Sequence, residues 1–197
     1  RSKSWVSNTI DFIIRSKGSF SGMMSMISYD YYTYTHSVNV SVLGLLFAKY
    51  SGFDGDEMQV FGTGLLLHDV GKTQIDPAII NKKERLNDEE FARIKMHVDL
   101  GADILKQTGG VDSTSFFPIM QHHEKYNGKG YPNGLKGDAI HKYGKISGII
   151  DVYDALTTQR SYSDARKPFA ALKIMNEEMK GSFDDKYFKD FILFLGS

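Results

Sequence analysis

The apolar residues of this chain recur with the period of a helix along almost its whole length and almost nowhere with the alternation of a strand, so the pattern permits an all-α fold. A first helix is predicted near Trp5 to Ile14, ending before Lys17-Gly18. A second, about Tyr34 to Tyr50, carries Val38, Val42, Leu45 and Leu46 on one stripe, with Gly52 past its end. A third, about Glu57 to Asp69, offers Val60, Phe61, Leu65 and Leu66 to a core and stops at Gly71, which puts His68-Asp69 in its last turn. Asp76-Pro77 reads as an N-cap followed by proline at the first helical position. Asn87 with Glu90 three residues later is a capping box; the helix it opens bears Phe91, Ile94, Val98 and Leu105 as its apolar stripe, with His97 beside them. A helix near Ser115 to Glu124 ends in His122-His123, and Asn127 to Gly137, with four glycines and a proline, is irregular. Further helices are predicted from Lys142 to Gln159, with Asp151 and Asp154 on a common face, from Pro168 to Met179, and from an Asp184 cap to Leu195.

Five of the six histidines fall on or at the ends of these helices: His36, His68, His97, His122 and His123. With Asp69 and Asp151 they form a set of imidazole nitrogens and carboxylate oxygens, the donors that suit a borderline first-row metal such as iron or manganese. Neighbouring helical side chains diverge by about 100 degrees, so His122 and His123 share a site only near a helix end or between two metals. That spacing favours a binuclear centre. Asp69, with two oxygens, is suited to bridge two cations. His141 matches no such position and reads as a surface histidine.

The chain's 197 residues are near the size of one domain, large enough to bury a core without staples. Its 24 basic and 24 acidic side chains cancel, so no global field draws in a DNA or RNA polymer, and a phosphate-bearing ligand must be held locally. Cysteine is absent, which excludes disulfides and thiolate zinc sites and fits a cytoplasmic location. No apolar run approaches the roughly 20 residues that span a bilayer, so no membrane partner is expected for this segment. The start at Arg1 leads to the expectation of an upstream regulatory part, joined through an N-terminal helix within residues 1–20 to a catalytic region at 21–197. Trp5, Ile10 and Ile13 on that helix would pair with a copy of themselves, giving a homodimer, or with the upstream domain.

Leu66-Leu67-His68-Asp69-Val70-Gly71-Lys72, and His122-His123-Glu124 through Gly130-Tyr131-Pro132 to Gly134-Leu135, resemble the two signatures of the HD-GYP family, a branch of the HD-domain phosphohydrolases. The resemblance continues through Ile149-Ile150-Asp151-Val152-Tyr153-Asp154-Ala155-Leu156 to Arg160-Ser161-Tyr162. It implies a compact multi-helix HD-domain bundle with a binuclear metal centre and a Gly-Tyr-Pro loop. It implies a phosphodiesterase of bacterial cyclic dinucleotides, chiefly cyclic di-GMP, in which a hydroxide held between the metals attacks phosphorus. The alternatives are specificity for 3'3'-cyclic GMP-AMP, or a catalytically weak module that binds a dinucleotide or a protein.

Carried over by motif position, the resemblance implies one metal on His36, His68, Asp69 and Asp151 and another on Asp69, His97, His122 and His123. Lys72 resembles the family's phosphate-contacting lysine, and Arg160 is a second candidate phosphate clamp or a helix-dipole partner. Gly130, Tyr131 and Pro132 would form a flat surface for a guanine, or else a plain surface turn. Asp154 would orient a ligand or pair with Lys72, or else face solvent. The chain departs from the pattern at Asn127, where aspartate is usual, and at Val98, where proline is usual. Tyr32 stands where three-metal members carry glutamate, so two ions are expected and a third is in doubt.

Overall fold

The computed structural model describes residues 31–159 and 165–197. The helix expected near Trp5 to Ile14, and Arg160, lie outside the described residues. Within them the fold is all-helical, as the periodicity requires, with no strand and a single antiparallel bridge pairing Asn127 with Lys136. The helices are α1 (Tyr31–Tyr50), α2 (Gly55–Leu67), α3 (Pro77–Ile80), α4 (Asp88–Lys95), α5 (His97–Thr108), α6 (Phe116–Gln121), α7 (Lys142–Thr157), α8 (Pro168–Glu177) and α9 (Asp185–Leu195). A 3₁₀ turn at Val70–Gln74 follows α2.

Helix α1 packs on α2 and α7, and α7 also packs on α6, α8 and α9. Phe47, Phe61, Leu65, Ile146, Ile149, Ile150, Met175 and Phe191 fill the larger core between them. A smaller, separate cluster of Leu67, Val70, Leu105 and Ile119 forms a second core. Gly71 lets the 3₁₀ turn press against the start of α5, since a Cβ there would stand 2.0 Å from the His97 carbonyl oxygen.

The expected caps are present: Asn87 forms a full capping box with Glu90, Asp76 caps Ala78 ahead of Pro77, and Asp184 accepts the Lys186 and Tyr187 amides. Asp54 with Glu57 forms a further capping box, ahead of α2. Two expectations are corrected. On α1 the buried face is Thr33, His36, Ser37, Val40, Ser41, Phe47 and Ala48, while Val42 and Leu46 are exposed. Small and polar residues carry that face because α2 lies so close: a Cβ on Gly44 would overlap the Leu65 side chain at 2.1 Å. The stripe from Phe91 to Leu105 is also not continuous, for Met96 ends α4 and begins α5, and Phe91 is exposed. At that break the His97 ring takes the Ile94 carbonyl, which a continuing helix would give to the Val98 amide.

Candidate metal centre

Three histidines are fixed by backbone carbonyls. His68 Nδ1 lies 2.7 Å from the Leu65 oxygen, His97 Nδ1 2.7 Å from the Ile94 oxygen, and His122 Nδ1 3.0 Å from the Pro118 and Ile119 oxygens. A carbonyl only accepts, so each ring carries its proton on Nδ1 and keeps a lone pair on Nε2. All three sit at the end or start of a helix, where unpaired carbonyls and a change of direction aim the rings inward.

The lone pairs meet at Asp69. Its Oδ1 lies 3.4 Å from His97 Nε2 and 3.9 Å from His122 Nε2. Its Oδ2 lies 3.4 Å from His68 Nε2 and 3.9 Å from His36 Nε2. The two oxygens therefore face two different groups of histidines. Asp151 Oδ1 lies 2.9 Å from His36 Nε2 and 3.9 Å from His68 Nε2, and its Oδ2 lies 3.8 Å from His123 Nδ1. Donor atoms of Asp69, His97, His122 and His123 lie within 4.8 Å of one another, as do those of His36, His68 and Asp69.

Within the described residues, His68 Nε2 and Asp69 Oδ1 are buried without a hydrogen-bond partner. The Nε2 atoms of His97 and His122 face each other at 3.3 Å. Buried lone pairs left unpaired and pointed together are costly, and a cation between them removes the cost. The nitrogen and oxygen donor set and its two-sided arrangement thus fit divalent metal ions.

The electrostatics sort the imidazoles into two kinds. Burial lowers His97 to about 4 and also lowers His122 and His123, with neighbouring histidines adding to the effect, so these rings are neutral near pH 7 and ready to ligate. Burial opposes charge on His36 too, but hydrogen bonds to Asp151 and Asp154 outweigh it and raise the ring to about 9. For Asp69, burial is overcome by Lys72 and His68, which hold its carboxyl well below the usual carboxylate range. For Asp151, burial is overcome by the His36 hydrogen bond, with the same direction.

The remaining candidates fall at the rim of this cluster or behind it. Lys72 Nζ lies 2.5 Å from Asp69 Oδ2, so its partner is Asp69 and not Asp154. Asp154 is buried rather than solvent-facing; its Oδ2 accepts from His36 Nδ1 at 2.6 Å and its Oδ1 from the Thr158 hydroxyl at 2.9 Å. Tyr32 stacks on His36 with centroids 6.1 Å apart and supplies no carboxylate. The Tyr131 ring lies against His123, centroids 4.6 Å apart, beside a cis peptide to Pro132. Gly130 is the close approach of that loop, since a Cβ there would stand 2.4 Å from the Lys125 amide nitrogen. His141 is corrected from a surface histidine: it caps α7 through the Tyr143 amide and stacks on Phe117 at 3.9 Å.

Glu124 has a task that the residue pattern did not disclose. Its buried carboxylate accepts from the Asn133 and Leu135 amides at 2.8 and 2.9 Å, pinning the Gly-Tyr-Pro loop to the segment that bears His122-His123. The signal was its place directly after the histidine pair and before a loop full of unpaired amides. Asn127 meets its turn position by accepting the Lys129 amide at 3.0 Å, and Val98 is fully buried; with both departures in place the histidine and aspartate donors still lie together.

Comparison with known proteins follows the same line. An HD domain family profile matches residues 40–187. The chain is 31% identical over 184 residues, 93% of its length, to a cyclic di-GMP phosphodiesterase of Pseudomonas aeruginosa, of which it covers 44%. It is 36% identical over 133 residues to a 3'3'-cGAMP-specific phosphodiesterase of Vibrio cholerae, covering 67% of this chain and 26% of that one. It therefore spans less than half the length of these relatives. Among solved structures, an HDG"Y"P protein from Bdellovibrio bacteriovorus superposes with a TM-score of 0.69 at 24% identity, over 84% of this chain and 53% of that chain. The HD domain of the Listeria monocytogenes phosphodiesterase PgpH, solved with cyclic-di-AMP, superposes with a TM-score of 0.66 at 21% identity, over 89% of this chain and 93% of that one. With a family profile matched over most of its length, the chain belongs to the HD domain family.

Proposed function

We propose that this chain is a metal-dependent phosphodiesterase that hydrolyses a bacterial cyclic dinucleotide, cyclic di-GMP first among them. The observation that carries the reading is the placement of Asp69, whose two buried oxygens face His97 and His122 on one side and His36 and His68 on the other. His36, His68, Asp69 and Asp151 would hold one ion, and Asp69, His97, His122 and His123 the other. Iron or manganese suits this donor set, and two ions are proposed because Tyr32 offers no carboxylate for a third. Bound metals would supply Lewis acidity toward the phosphate and an activated water.

The chain's own residues would do the rest. Asp154 keeps the His36 ring oriented. Lys72, paired with Asp69, would turn its ammonium to the phosphoryl oxygens as charge builds there. Tyr131, partly exposed over His123, would offer a face to the nucleobase and keep bulk water off that ligand. The proposed catalytic region is 21–197. No described helix is long and apolar enough to cross a membrane, and the cytoplasm, where such messengers act, is the proposed location. The likeness to a 3'3'-cGAMP-specific relative supports cyclic GMP-AMP as the second substrate to try.

The test is to load the protein with iron or manganese and follow products from cyclic di-GMP and cyclic GMP-AMP side by side by chromatography. Hydrolysis of at least one, abolished by a chelator, supports the reading. A metal-loaded chain that binds a dinucleotide without cleaving it is a binding module instead.

A further inference from the structure

Phe91 is an aromatic ring left outside the core. It is 46% exposed at the solvent face of α4, and Met96 at the end of that helix is 53% exposed. A single exposed apolar residue is ordinary. Here, however, the ring has a specific neighbour: the Phe91 and Tyr131 centroids are 6.3 Å apart with planes at 83 degrees. Lys95 Nζ stands 5.1 Å from the Phe91 centroid and 6.0 Å from that of Tyr131, so two rings and an ammonium converge on one patch. That patch is continuous with the metal centre, because the Tyr131 ring also lies against His123.

A nucleotide carries its base one sugar away from its phosphate. A phosphodiester held at Asp69 and the histidines therefore places its bases just outside the ligands, where Tyr131 and then Phe91 lie. Aromatic faces hold bases by stacking, and an ammonium beside them suits the phosphates or the acceptor edge of a purine. We propose that Phe91, with Lys95, forms a second base-holding surface beyond Tyr131 and stacks a nucleobase of the cyclic dinucleotide. The inference rests on the phosphodiesterase reading above and extends it to a residue outside both signatures.

The test compares two diesters on the metal-loaded protein: cyclic di-GMP, and bis(p-nitrophenyl) phosphate, which carries no base. Phe91→Leu, which keeps an apolar side chain and removes the ring, should lower kcat/KM for cyclic di-GMP about tenfold relative to that for bis(p-nitrophenyl) phosphate, chiefly through KM. Phe91→Trp should restore the ratio, and Lys95→Met should lower it with a weaker dependence on salt. An equal loss with both diesters, or an unchanged ratio in Phe91→Leu, overturns the surface while leaving the phosphodiesterase reading intact. Failure of the unaltered chain to cleave either cyclic di-GMP or cyclic GMP-AMP overturns both.

Discussion

Asp154 holds His36 by its outer nitrogen, Oδ2 to Nδ1 at 2.6 Å, while the inner nitrogen of the same ring lies 2.9 Å from Asp151. A carboxylate behind a ligating imidazole fixes its orientation and raises its basicity, and losing one commonly costs about 10 to 100-fold in metal affinity. Asp154→Asn, which keeps the shape and removes the charge, should weaken the ion on the His36 side by roughly that factor, read by competition with a chelator. Helical content should be unchanged by circular dichroism.

The same pair sets a pH dependence for the metal-free chain. His36 is raised from 6.5 to about 9, so the stability it contributes is fully present below pH 6.5 and is lost as pH rises through about 9. His97 is lowered from 6.5 to about 4, so its contribution is present above pH 6.5 and is lost as pH falls through about 4. Thermal unfolding in excess chelator should therefore show the Tm falling on both sides of roughly pH 6.5. Asp154→Asn should flatten the alkaline limb and leave the acid limb in place.

Lys72 faces Asp69 and acts on the transition state in the proposed mechanism. Lys72→Met should lower kcat by roughly 10 to 1000-fold with little change in KM. Metal content, measured by elemental analysis, should not fall, because the substitution removes a cation that competes with the metals for Asp69. A large loss of metal would show that Lys72 supports the ligand cage instead.

Glu124 accepts two loop amides, so Glu124→Ala leaves both without a partner and should destabilise the fold by about 1–3 kcal/mol in denaturant titrations. Glu124→Gln keeps one acceptor oxygen and should recover part of that loss. Both variants should raise KM more than they lower kcat, since the loop carries Tyr131 and no metal ligand.

What could be read from residues alone was the chemistry with a fixed local signature. Capping boxes lie within four residues of one another, and Asn87 with Glu90 folded as the pattern specified. The histidine and aspartate cluster was legible because His68-Asp69 and His122-His123 fall at helix ends, and the structure brings them together. The His36–Asp154 contact was open as one of several roles, since it joins residues 118 apart in the chain and depends on how α1 crosses α7. The face of α1 was misjudged because its packing runs through Gly44, Ser37 and Ser41, which carry no apolar signal, while Val42 and Leu46 do and lie outside. Met96 gave no warning of the break between α4 and α5, because the competing partner for the Ile94 carbonyl is the His97 ring.

The bridging role of Asp69 is tested most directly by counting metal in the purified protein and in Asp69→Ala by elemental analysis, with cyclic di-GMP turnover measured on the same samples. Two ions per unaltered chain, loss of both in Asp69→Ala, and loss of all hydrolysis with the helical core retained are the predicted results. Three ions in the unaltered chain would contradict the reading of Tyr32, and a metal-replete Asp69→Ala that still cleaves cyclic di-GMP would contradict the binuclear mechanism itself.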